Sequence, residues 1–350
     1  MDDLVSDNKF HKKKITSHSS LFSKLEENEN LTICEKATSA ERKIVNVAQL
    51  IDTKLCKKEK FFSLEILLNK KYNDDLYKRF LLEISGIHPR PLFFTTAWRE
   101  GYSSGINSTY SPLEMLRILP STTLLHMLAN DLKESEVRKI LDDALVRGVT
   151  NIFVLRGDNC TGNGDFSHAI DLVKFIKKNY ENKFVICVAG YPEMHPQSES
   201  KEMDLVHLKK KTRTNFDDFF FKVDAGASFI ITQIFLESKV FVNFVEDCRK
   251  FGINVPIIPG IFAITNSKCI TGLAKSCNLK IPQSVIEDIK SMKDNEEGIY
   301  EYGIELAAQL ITDIFRSQAA NGFHLFTLNR ASVAWDVCKR IWNDGKDGDK

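Results

Sequence analysis

The sequence predicts an α/β fold, a parallel TIM (β/α)8 barrel preceded by an N-terminal helix and a disordered tail. Eight short, apolar, β-prone stretches recur between residues 61 and 330, and a helical pattern follows each of them. Nearly every stretch ends at a polar or small residue. Because the carboxyl ends of barrel strands and the loops after them build the catalytic face, polar residues gathered there are candidates for chemistry.

The predicted strands are rich in β-branched, aromatic and aliphatic residues. They span Phe61–Leu67, Pro91–Ala97, Thr123–Ala129, Asn151–Leu155, Phe184–Val188, Ser228–Ile234, Pro256–Ile261 and Gly322–Thr327. The polar or small residues at or just beyond their ends are Glu65, Trp98, His126, Asp158, Tyr191, Gln233, Gly260 and Arg330.

Between the strands, apolar residues recur with helical spacing. The predicted helices span Asp74–Ile84, Pro112–Leu119, Ser135–Val146, Phe166–Lys178, Leu205–Asp224, Lys239–Phe251, Gly298–Arg316 and Ala331–Trp342. One more helix is predicted from Thr38, where Thr38 and Glu41 have capping-box spacing, and we expect it to close the bottom of the barrel. Residues 1–37 are polar and predict a disordered tail, which leaves residues 38–345 for one barrel domain.

An open, doubly wound sheet has the same alternation of strands and helices and is the main structural alternative. Such a sheet binds dinucleotides through a GxGxxG sequence after its first strand. The nearest Gly-rich segment here, with Gly162 and Gly164, follows the fourth predicted strand. The polar strand-end residues also belong to all the strands, whereas an open sheet concentrates its ligand groups at one switch point. Both observations favour the closed barrel.

Composition and charge narrow the functional classes. Hydrophobic residues at 43%, charged residues at 27% and the lack of a membrane-length apolar run are typical of a soluble protein and argue against a membrane role. A net charge of +1 argues against nucleic-acid binding. The eight cysteines are scattered without a CxxC pair, and no signal-peptide pattern begins the chain. We therefore expect reduced thiols in a cytoplasmic protein, and no metal site.

Four features of the strand ends suggest chemistry. Glu65 interrupts an apolar strand, where burial would raise its pKa into the range of a general acid; a glutamate facing water or a lysine is the alternative. In Leu155–Asp158, a glycine between opposite charges allows close ligand approach, although such charges more often form a surface ion pair. Residues 189–196 hold a tyrosine and a histidine between two prolines, which suits a planar ring. Gln233 ends a very apolar strand, and its amide needs polar partners.

Together these segments resemble the catalytic domain of methylenetetrahydrofolate reductases. The similar segments are FFSLE (61–65), LRGD (155–158), AGYPEMHP (189–196), VDAGASFIITQIF (223–235), PIIPGIF (256–262) and FHLFTLNR (323–330), and they extend through almost all of residues 60–340. The resemblance implies an FAD-binding barrel that takes a hydride from NADPH or NADH. It then gives the hydride to 5,10-methylenetetrahydrofolate, forming 5-methyltetrahydrofolate for methionine biosynthesis. It also implies a homo-oligomer.

The resemblance also implies roles for individual residues. Glu65 would be the general acid that helps open the imidazolidine ring of the folate, and Asp158 the carboxylate that tunes the reduced flavin. Gln233 would contact the folate, and Arg330 would lie at the substrate end of the last strand. The flavin contacts that carry over are His126, Leu155, Arg156, Gly157, Asp158, His168, Ala169, Ala189, Tyr191, His195 and Asp204.

Several positions depart from the family pattern. After the glutamate, the family's two aromatic residues, two prolines and arginine are replaced by residues 66–70. Ala97 stands where the family has a flavin-contacting threonine, and Leu128 replaces a threonine near His126. Ser267 replaces an aromatic residue that packs on the folate. These departures bear on the affinity for flavin and for folate.

About eleven extra residues lie near residues 212–222, which corresponds to about three helical turns. The family's flavin-phosphate lysine is therefore either Lys211 or Lys222, and the kept spacing to the VDAG segment favours Lys222. The chain ends at Lys350, soon after the barrel. We expect no C-terminal S-adenosylmethionine-binding domain of the kind found in animal and fungal members, and no feedback inhibition by that route.

Two functional alternatives stay open. A degenerate family member would keep the barrel and a partner surface without turnover, which the residues at positions 97, 128 and 267 suggest. Another FAD barrel oxidoreductase, such as one that oxidises an amino acid in the manner of a proline dehydrogenase, would have to explain the segments around Gln233 and Arg330. Flavin content tests the first alternative, and proline oxidation against folate reduction tests the second.

Overall fold

Eight parallel strands pair in sequence order and close into a barrel, in which β1 pairs with both β2 and β8. The computed structural model describes residues 43–68, 74–98, 112–157, 162–212, 226–277, 279–292 and 295–343. The strands are β1 Phe61–Leu68, β2 Phe94–Trp98, β3 Thr123–Leu128, β4 Asn151–Leu155, β5 Val185–Gly190, β6 Phe229–Ile234, β7 Ile257–Phe262 and β8 Gly322–Phe326. The TIM barrel prediction is confirmed, and the open doubly wound alternative is wrong because the sheet has no free edge.

Helices follow the strands around the outside of the barrel. In the described ranges they are α1 Val47–Cys56, α2 Asp74–Ser85, α3 Pro112–Met115, α4 Glu134–Val146, α5 Ala169–Tyr180, α6 Lys201–Thr212, α7 Ser238–Lys250, α8 Ser267–Cys277, α9 Gln283–Ser291, α10 Glu296–Ser317 and α11 Ala331–Asn343. The sequence analysis did not predict α8 and α9, which lie between β7 and α10.

The predicted strands match the observed strands closely, and β4 matches at both ends. The largest difference is at β2, which was expected from Pro91 and begins at Phe94. Proline has no N–H to give to a ladder, so a regular strand is disfavoured at this position. Leu92, which precedes β2, is nevertheless hydrogen-bonded to β1, because its N–H donates to the carbonyl of Phe62 at 2.7 Å.

The helix ends required larger corrections. The helix expected from Thr38 begins at Val47, because residues 43–46 are not helical and the Asn46 side chain accepts a hydrogen bond from Gln49 N at 3.0 Å. Ile44 is 68% exposed, so helix there would bury no apolar face. Thr38 itself and the predicted tail of residues 1–37 lie outside the described residues.

Three further helices also differ from the prediction. The helix expected over Pro112–Leu119 is regular only to Met115, and turns follow. The helix expected from Phe166 begins at Ala169, because the Asp171 carboxylate caps the backbone N–H of His168. The helix expected over Leu205–Asp224 begins earlier, at Lys201; it is described to Thr212, and residues 213–225 lie outside the described ranges.

Side chains alternate between the barrel interior and the helix-facing side along each strand. On β1, for example, Phe62, Leu64 and Ile66 pack in the outer core among the helices, whereas Phe61 belongs to the interior core. The lower interior is apolar and includes α1. Its buried members are Val47, Ile51, Phe61, Phe93, Leu124, Phe153, Val185, Cys187, Phe229, Ile231 and Ile258.

Asn151 ties α1 to the lower end of the barrel. Its side-chain oxygen accepts from Val47 N at 3.1 Å, and its amide nitrogen donates to the carbonyl of Val45 at 2.7 Å. Asn151 is 1% exposed, so both bonds satisfy polar groups that water does not reach. The expectation that a helix before β1 closes the barrel's bottom is confirmed. None of the described helices has the length and hydropathy of a membrane span.

Candidate active site

Glu65 lies on β1 at a position that alternation turns into the barrel, two residues above Ser63 along the strand. It is less buried than its strand neighbours and lies toward the open carboxyl end of the barrel. Burial still raises the pKa of its carboxyl to about 7. A large fraction of Glu65 therefore carries a proton near neutral pH, as a general acid requires.

An uncharged polar network lies just below Glu65. His324 of β8 is fully buried, and its Nδ1 lies 2.8 Å from Ser63 Oγ. Its Nε2 lies 3.3 Å from Oγ1 of Thr95, the residue opposite Glu65 in the β1–β2 register. Burial, and secondarily the nearby His126, lower the pKa of His324 to about 3. The ring is thus neutral, and it offers one donor and one acceptor to the two hydroxyls.

This network was missed by the sequence analysis, although a signal was present. Ser63 and His324 occupy inward-facing positions of otherwise apolar strands, where a polar side chain must find a polar partner. His126 of β3, which was singled out, is also buried inside the barrel. Its ring meets Phe153 edge to face at 4.7 Å, and burial lowers its pKa to about 3.

The end of β4 places a glycine where no other residue fits. Gly157 has a φ of +91°, and a Cβ there would lie 2.0 Å from Oδ1 of Asn130. Asn130 in turn donates its backbone N–H to the carbonyl of Arg156 at 2.9 Å. The space that a side chain would take at position 157 is therefore occupied by the Asn130 side chain. Asp158, the next residue, lies outside the described residues.

Arg156 brings a cation to the same strand end. Its Nη1 bonds to the side-chain oxygen of Gln197, from the loop after β5. Its Nε is buried and has no acceptor among the described residues. A buried guanidinium N–H of this kind costs free energy unless an acceptor is supplied, so the group suits an anionic or carbonyl ligand.

The loop after β5 forms a rigid corner. The rings of Tyr191 and His195 meet edge to face at 4.5 Å, and Met194 takes a left-handed φ of +76°. The Asp204 carboxylate of α6 accepts the backbone N–H of His195 at 3.1 Å. The expected clustering of Tyr191, His195 and Asp204 is therefore present, and the corner presents aromatic edges beside a carboxylate.

Lys211 adds a buried ammonium to this corner. Its Nζ lies 3.5 Å from the carbonyl oxygen of Ala189, at the end of β5. Burial lowers the pKa of Lys211, and the charge of Asp204 opposes that shift. Burial likewise raises the pKa of Asp204, whereas its bond from His195 and the charge of Lys211 lower it. Lys222, the lysine favoured by spacing, lies outside the described residues.

Gln233 lies at an irregular point of the sheet. The β6–β7 register shifts between Ile231 and Ile234, and Thr232 Oγ1 accepts the N–H of Gly260 there at 3.0 Å. The side-chain oxygen of Gln233 accepts the N–H of Ile234 at 2.9 Å. The Gln233 amide is therefore partly satisfied by its own strand, and its NH2 group has no acceptor among the described residues.

Arg330 follows β8 and turns toward the β7 side of the mouth, where its Nη1 donates to Thr265 Oγ1. His168 and Ala169 stand at the start of α5, and the His168 side chain is 64% exposed. Ala97 and Leu128, two of the departures, lie near the mouth and are partly exposed. No group of three metal-ligating side chains occurs within the described ranges.

Barrel closure gathers these sequence-predicted residues at one face. The ends of β1, β3, β4, β5, β6 and β8 contribute Glu65, His126, Arg156, Tyr191, Gln233 and Arg330. The face combines a carboxyl with a pKa of about 7, two partly buried cationic side chains and an aromatic corner. Such a set suits an anionic, ring-containing ligand beside a substrate that takes up a proton.

Comparison with known proteins identifies relatives of this chain. A family model described as methylenetetrahydrofolate reductase matches residues 46–342. A probable methylenetetrahydrofolate reductase (NADPH) of Caenorhabditis elegans is 31% identical over 97% of this chain and 52% of its own length. Methylenetetrahydrofolate reductase (NADH) 1 of Arabidopsis thaliana is 34% identical over 68% of this chain and 41% of its own.

A bacterial relative and a solved structure extend the comparison. The 5,10-methylenetetrahydrofolate reductase of Escherichia coli is 34% identical over 62% of this chain and 69% of its own length. An uncharacterised protein of Clostridium thermocellum, described as binding two copies of 5-methyl-5,6,7,8-tetrahydrofolic acid, superposes with a TM-score of 0.58 at 14% identity over 85% of this chain and 99% of its own. At that identity, the superposition supports the fold alone.

The chain spans about half the length of the first curated relatives it matches. The match to the family model nevertheless covers most of its residues and all eight strands of the barrel. The six segments of the sequence analysis all fall inside the matched range. The chain therefore belongs to the methylenetetrahydrofolate reductase family.

Proposed function

We propose that this protein reduces 5,10-methylenetetrahydrofolate to 5-methyltetrahydrofolate with a hydride from NADPH or NADH, using FAD as the intermediate carrier. The observation that carries the proposal is Glu65, a carboxyl whose burial raises its pKa to about 7 at the open mouth of a family barrel. Opening a five-membered ring that joins two nitrogens requires a proton for the leaving nitrogen. A carboxyl that is protonated near neutral pH can deliver it.

The residues at the mouth fit FAD. Arg156 has a buried Nε without an acceptor in the described part of the chain, and burial lowers the pKa of the Lys211 ammonium. These two cations would bind the negatively charged phosphates of a dinucleotide. Tyr191 and His195 provide an apolar corner for a ring. When bound, FAD supplies hydride-transfer chemistry that amino-acid side chains do not offer.

The chain's own groups have separate tasks in this proposal. Glu65 holds the proton on its carboxyl and gives it to the ring nitrogen that leaves the methylene carbon. The neutral network of Ser63, Thr95 and His324 keeps positive charge away from beneath Glu65, since a cation there would favour the carboxylate and remove the proton. Gln233 and Arg330 bind the folate. The NH2 group of Gln233 suits the carbonyl and nitrogen acceptors of a pterin.

Lys211 carries the flavin-phosphate contact in this proposal. Its ammonium lies beside Ala189 and Asp204, two positions that the resemblance assigns to the flavin. The spacing argument for Lys222 stays a prediction, because Lys222 lies outside the described residues. The remaining proposed flavin contacts are His126, Leu155, Arg156, Gly157, Asp158, His168, Ala169, Tyr191 and His195. Asp158 is proposed to tune the reduced flavin.

The names of the relatives include both NADPH and NADH, and the sequence has no GxGxxG fingerprint that would help to choose between them. We propose that the enzyme works as a cytoplasmic homo-oligomer on small-molecule substrates. The degenerate alternative rests on Ala97 and Leu128, whose side chains lack a hydroxyl near the mouth, and on Ser267, which stands where the family has an aromatic residue.

A visible spectrum of the purified protein tests the proposal. FAD is supplied during purification, and NADPH or NADH and then methylenetetrahydrofolate are added without oxygen. We expect the flavin absorbance to bleach with the nicotinamide and to return with the folate. A protein that neither contains nor takes up FAD would contradict the proposal and favour the degenerate alternative. A flavin that is reduced by proline and not reoxidised by the folate would favour an amino-acid oxidising barrel.

A further inference from the structure

On its β8 side, the end of β1 is held by a side chain and not by strand pairing. The β1–β8 register runs from Phe61 opposite Gly322 to Leu64 opposite Leu325. β1 continues to Leu68, and Glu65 lies in this last part. Beyond Leu64, β1 keeps its register with β2, in which Leu67 stands opposite Ala97. The seam with β8 opens at the level of Glu65.

Asn329 closes this seam through its side-chain amide. Its Oδ1 accepts the N–H of Leu67 at 2.9 Å, and its Nδ2 donates to the carbonyl of Leu67 at 2.7 Å. One amide group thus satisfies both polar groups of one strand residue, as a backbone partner would in a ladder. Tyr77 OH also donates to the Leu67 carbonyl, at 3.3 Å.

The backbone around Asn329 is shaped to present that amide. Leu328 and Asn329 both have left-handed φ angles, +52° and +60°. Asparagine tolerates this conformation better than most residues. Because the chain turns there, Arg330 points toward β7, where its Nη1 donates to Thr265. Asn329 therefore stands between the β1 segment that carries Glu65 and the residue that carries the guanidinium.

We propose that Asn329 is a positioning residue, whose amide replaces a strand partner for Leu67 and thereby fixes Glu65 relative to Arg330. The inference rests on the proposed function for its kinetic test. It concerns the folate step, which uses Glu65, and not the reduction of the flavin by the nicotinamide. Small displacements of a reacting group can cost up to about 100-fold in rate, so the loss of this contact should be measurable.

Two variants separate the contact from the fold. Asn329→Asp keeps an oxygen for Leu67 N and tolerates the left-handed backbone, but it has no N–H for the Leu67 carbonyl. Asn329→Gly removes both bonds and relieves the backbone. Asn179→Asp is the matched control, because Asn179 Nδ2 donates to the carbonyl of Phe175 at 2.8 Å on the outer face of the barrel.

In anaerobic stopped-flow measurements, we expect both Asn329 variants to slow reoxidation of the flavin by methylenetetrahydrofolate by about 10- to 100-fold. Reduction by the nicotinamide should keep its rate, and the control should change neither step. Equal slowing of both steps together with a lower Tm would mean that Asn329 is merely structural. Unchanged rates in both variants would overturn the proposal.

A second measurement needs no substrate and no flavin. The carboxyl of Glu65 is titrated by 13C NMR in glutamate-labelled protein, with Glu65→Gln used to assign its signal. In Asn329→Gly the opened seam should admit water and lower the pKa of Glu65 from about 7 toward its ordinary value. A pKa that stays near 7 would overturn the positioning role. If the unmodified protein failed to turn over, this result would still decide the inference, whereas the proposed function would have failed separately.

Discussion

The two ends of the barrel interior are built from the same strands and have opposite characters. The lower end, called here the floor, consists of the interior aromatic and aliphatic side chains together with α1, and it buries rings such as Phe93 and Phe229 completely. The upper end, the mouth, carries Glu65, Arg156 and Lys211, whose pKa or hydrogen bonding is disturbed by burial. Burying apolar rings stabilises the fold, whereas burying unpaired polar groups opposes it. The floor therefore stabilises the folded protein, whereas the buried polar groups of the mouth destabilise it.

Glu65→Gln should show the largest effect, and it should separate the two ends most clearly. The amide keeps the shape of the side chain but cannot give up a proton, so the folate step should slow by about 100- to 10,000-fold. Flavin reduction by the nicotinamide should persist. Stopped-flow rates for each half-reaction measure this difference. A variant that reoxidises with the folate at the unmodified rate would remove Glu65 from the mechanism.

Glu65→Gln also tests the raised pKa of the Glu65 carboxyl, through the pH dependence of the free energy of unfolding. Because the folded-state pKa of about 7 lies above the ordinary value of 4.5, the folded protein holds this proton more tightly than the unfolded chain. The stability linked to the proton is complete below about pH 4.5 and is lost as the pH rises through about 7. Glu65→Gln should therefore gain stability relative to the unmodified protein above pH 7 and show no such gain at acidic pH. Urea denaturation at several pH values measures it.

Phe229→Ala should have the complementary effect at the floor. Phe229 is fully buried and meets Phe93 edge to face at 5.8 Å, so its removal leaves a cavity that should cost about 3 to 5 kcal/mol of unfolding free energy. The folded fraction should keep its rate in both half-reactions. Leu82→Ala, at a residue that is 43% exposed, is the control and should cost much less. A loss of activity without a loss of stability would contradict this division of the barrel.

The floor and the mouth also differ in what the sequence could predict. Period-two patterns and apolar runs located the strands well, because alternation is imposed along every strand. Glu65, Arg156 and Gln233 were found because polar residues stand out in apolar strands. The network of Ser63 with His324 was missed, since a contact between residues 261 positions apart depends on which strands become neighbours. The amide of Asn329 was missed for the same reason, because only barrel closure brings β8 beside β1.

Lys211→Met tests whether the mouth binds FAD through the ammonium of Lys211. Methionine keeps the apolar stem but removes the ammonium, and a lost charge-assisted hydrogen bond of about 1.5 to 3 kcal/mol should weaken FAD binding by about 10- to 150-fold. Lys210→Met, at the exposed neighbouring residue of α6, is the control and should bind FAD normally. Flavin fluorescence titration measures both affinities. An unchanged affinity in Lys211→Met would return the phosphate contact to Lys222.

Asn46→Ala should have the smallest effect and tests how far the floor is separate from the chemistry. Asn46 caps α1 by accepting Gln49 N at 3.0 Å, and loss of an N-cap costs about 1 kcal/mol. Asn46→Ser should restore most of that stability, since serine also caps helices well. Because α1 packs against the lower cluster through Val47 and Ile51, away from the mouth, both half-reactions should keep their rates. If Asn46→Ala instead slowed the folate step, the floor would be coupled to Glu65 through the barrel interior, and the His324 network between them would be the path to test next.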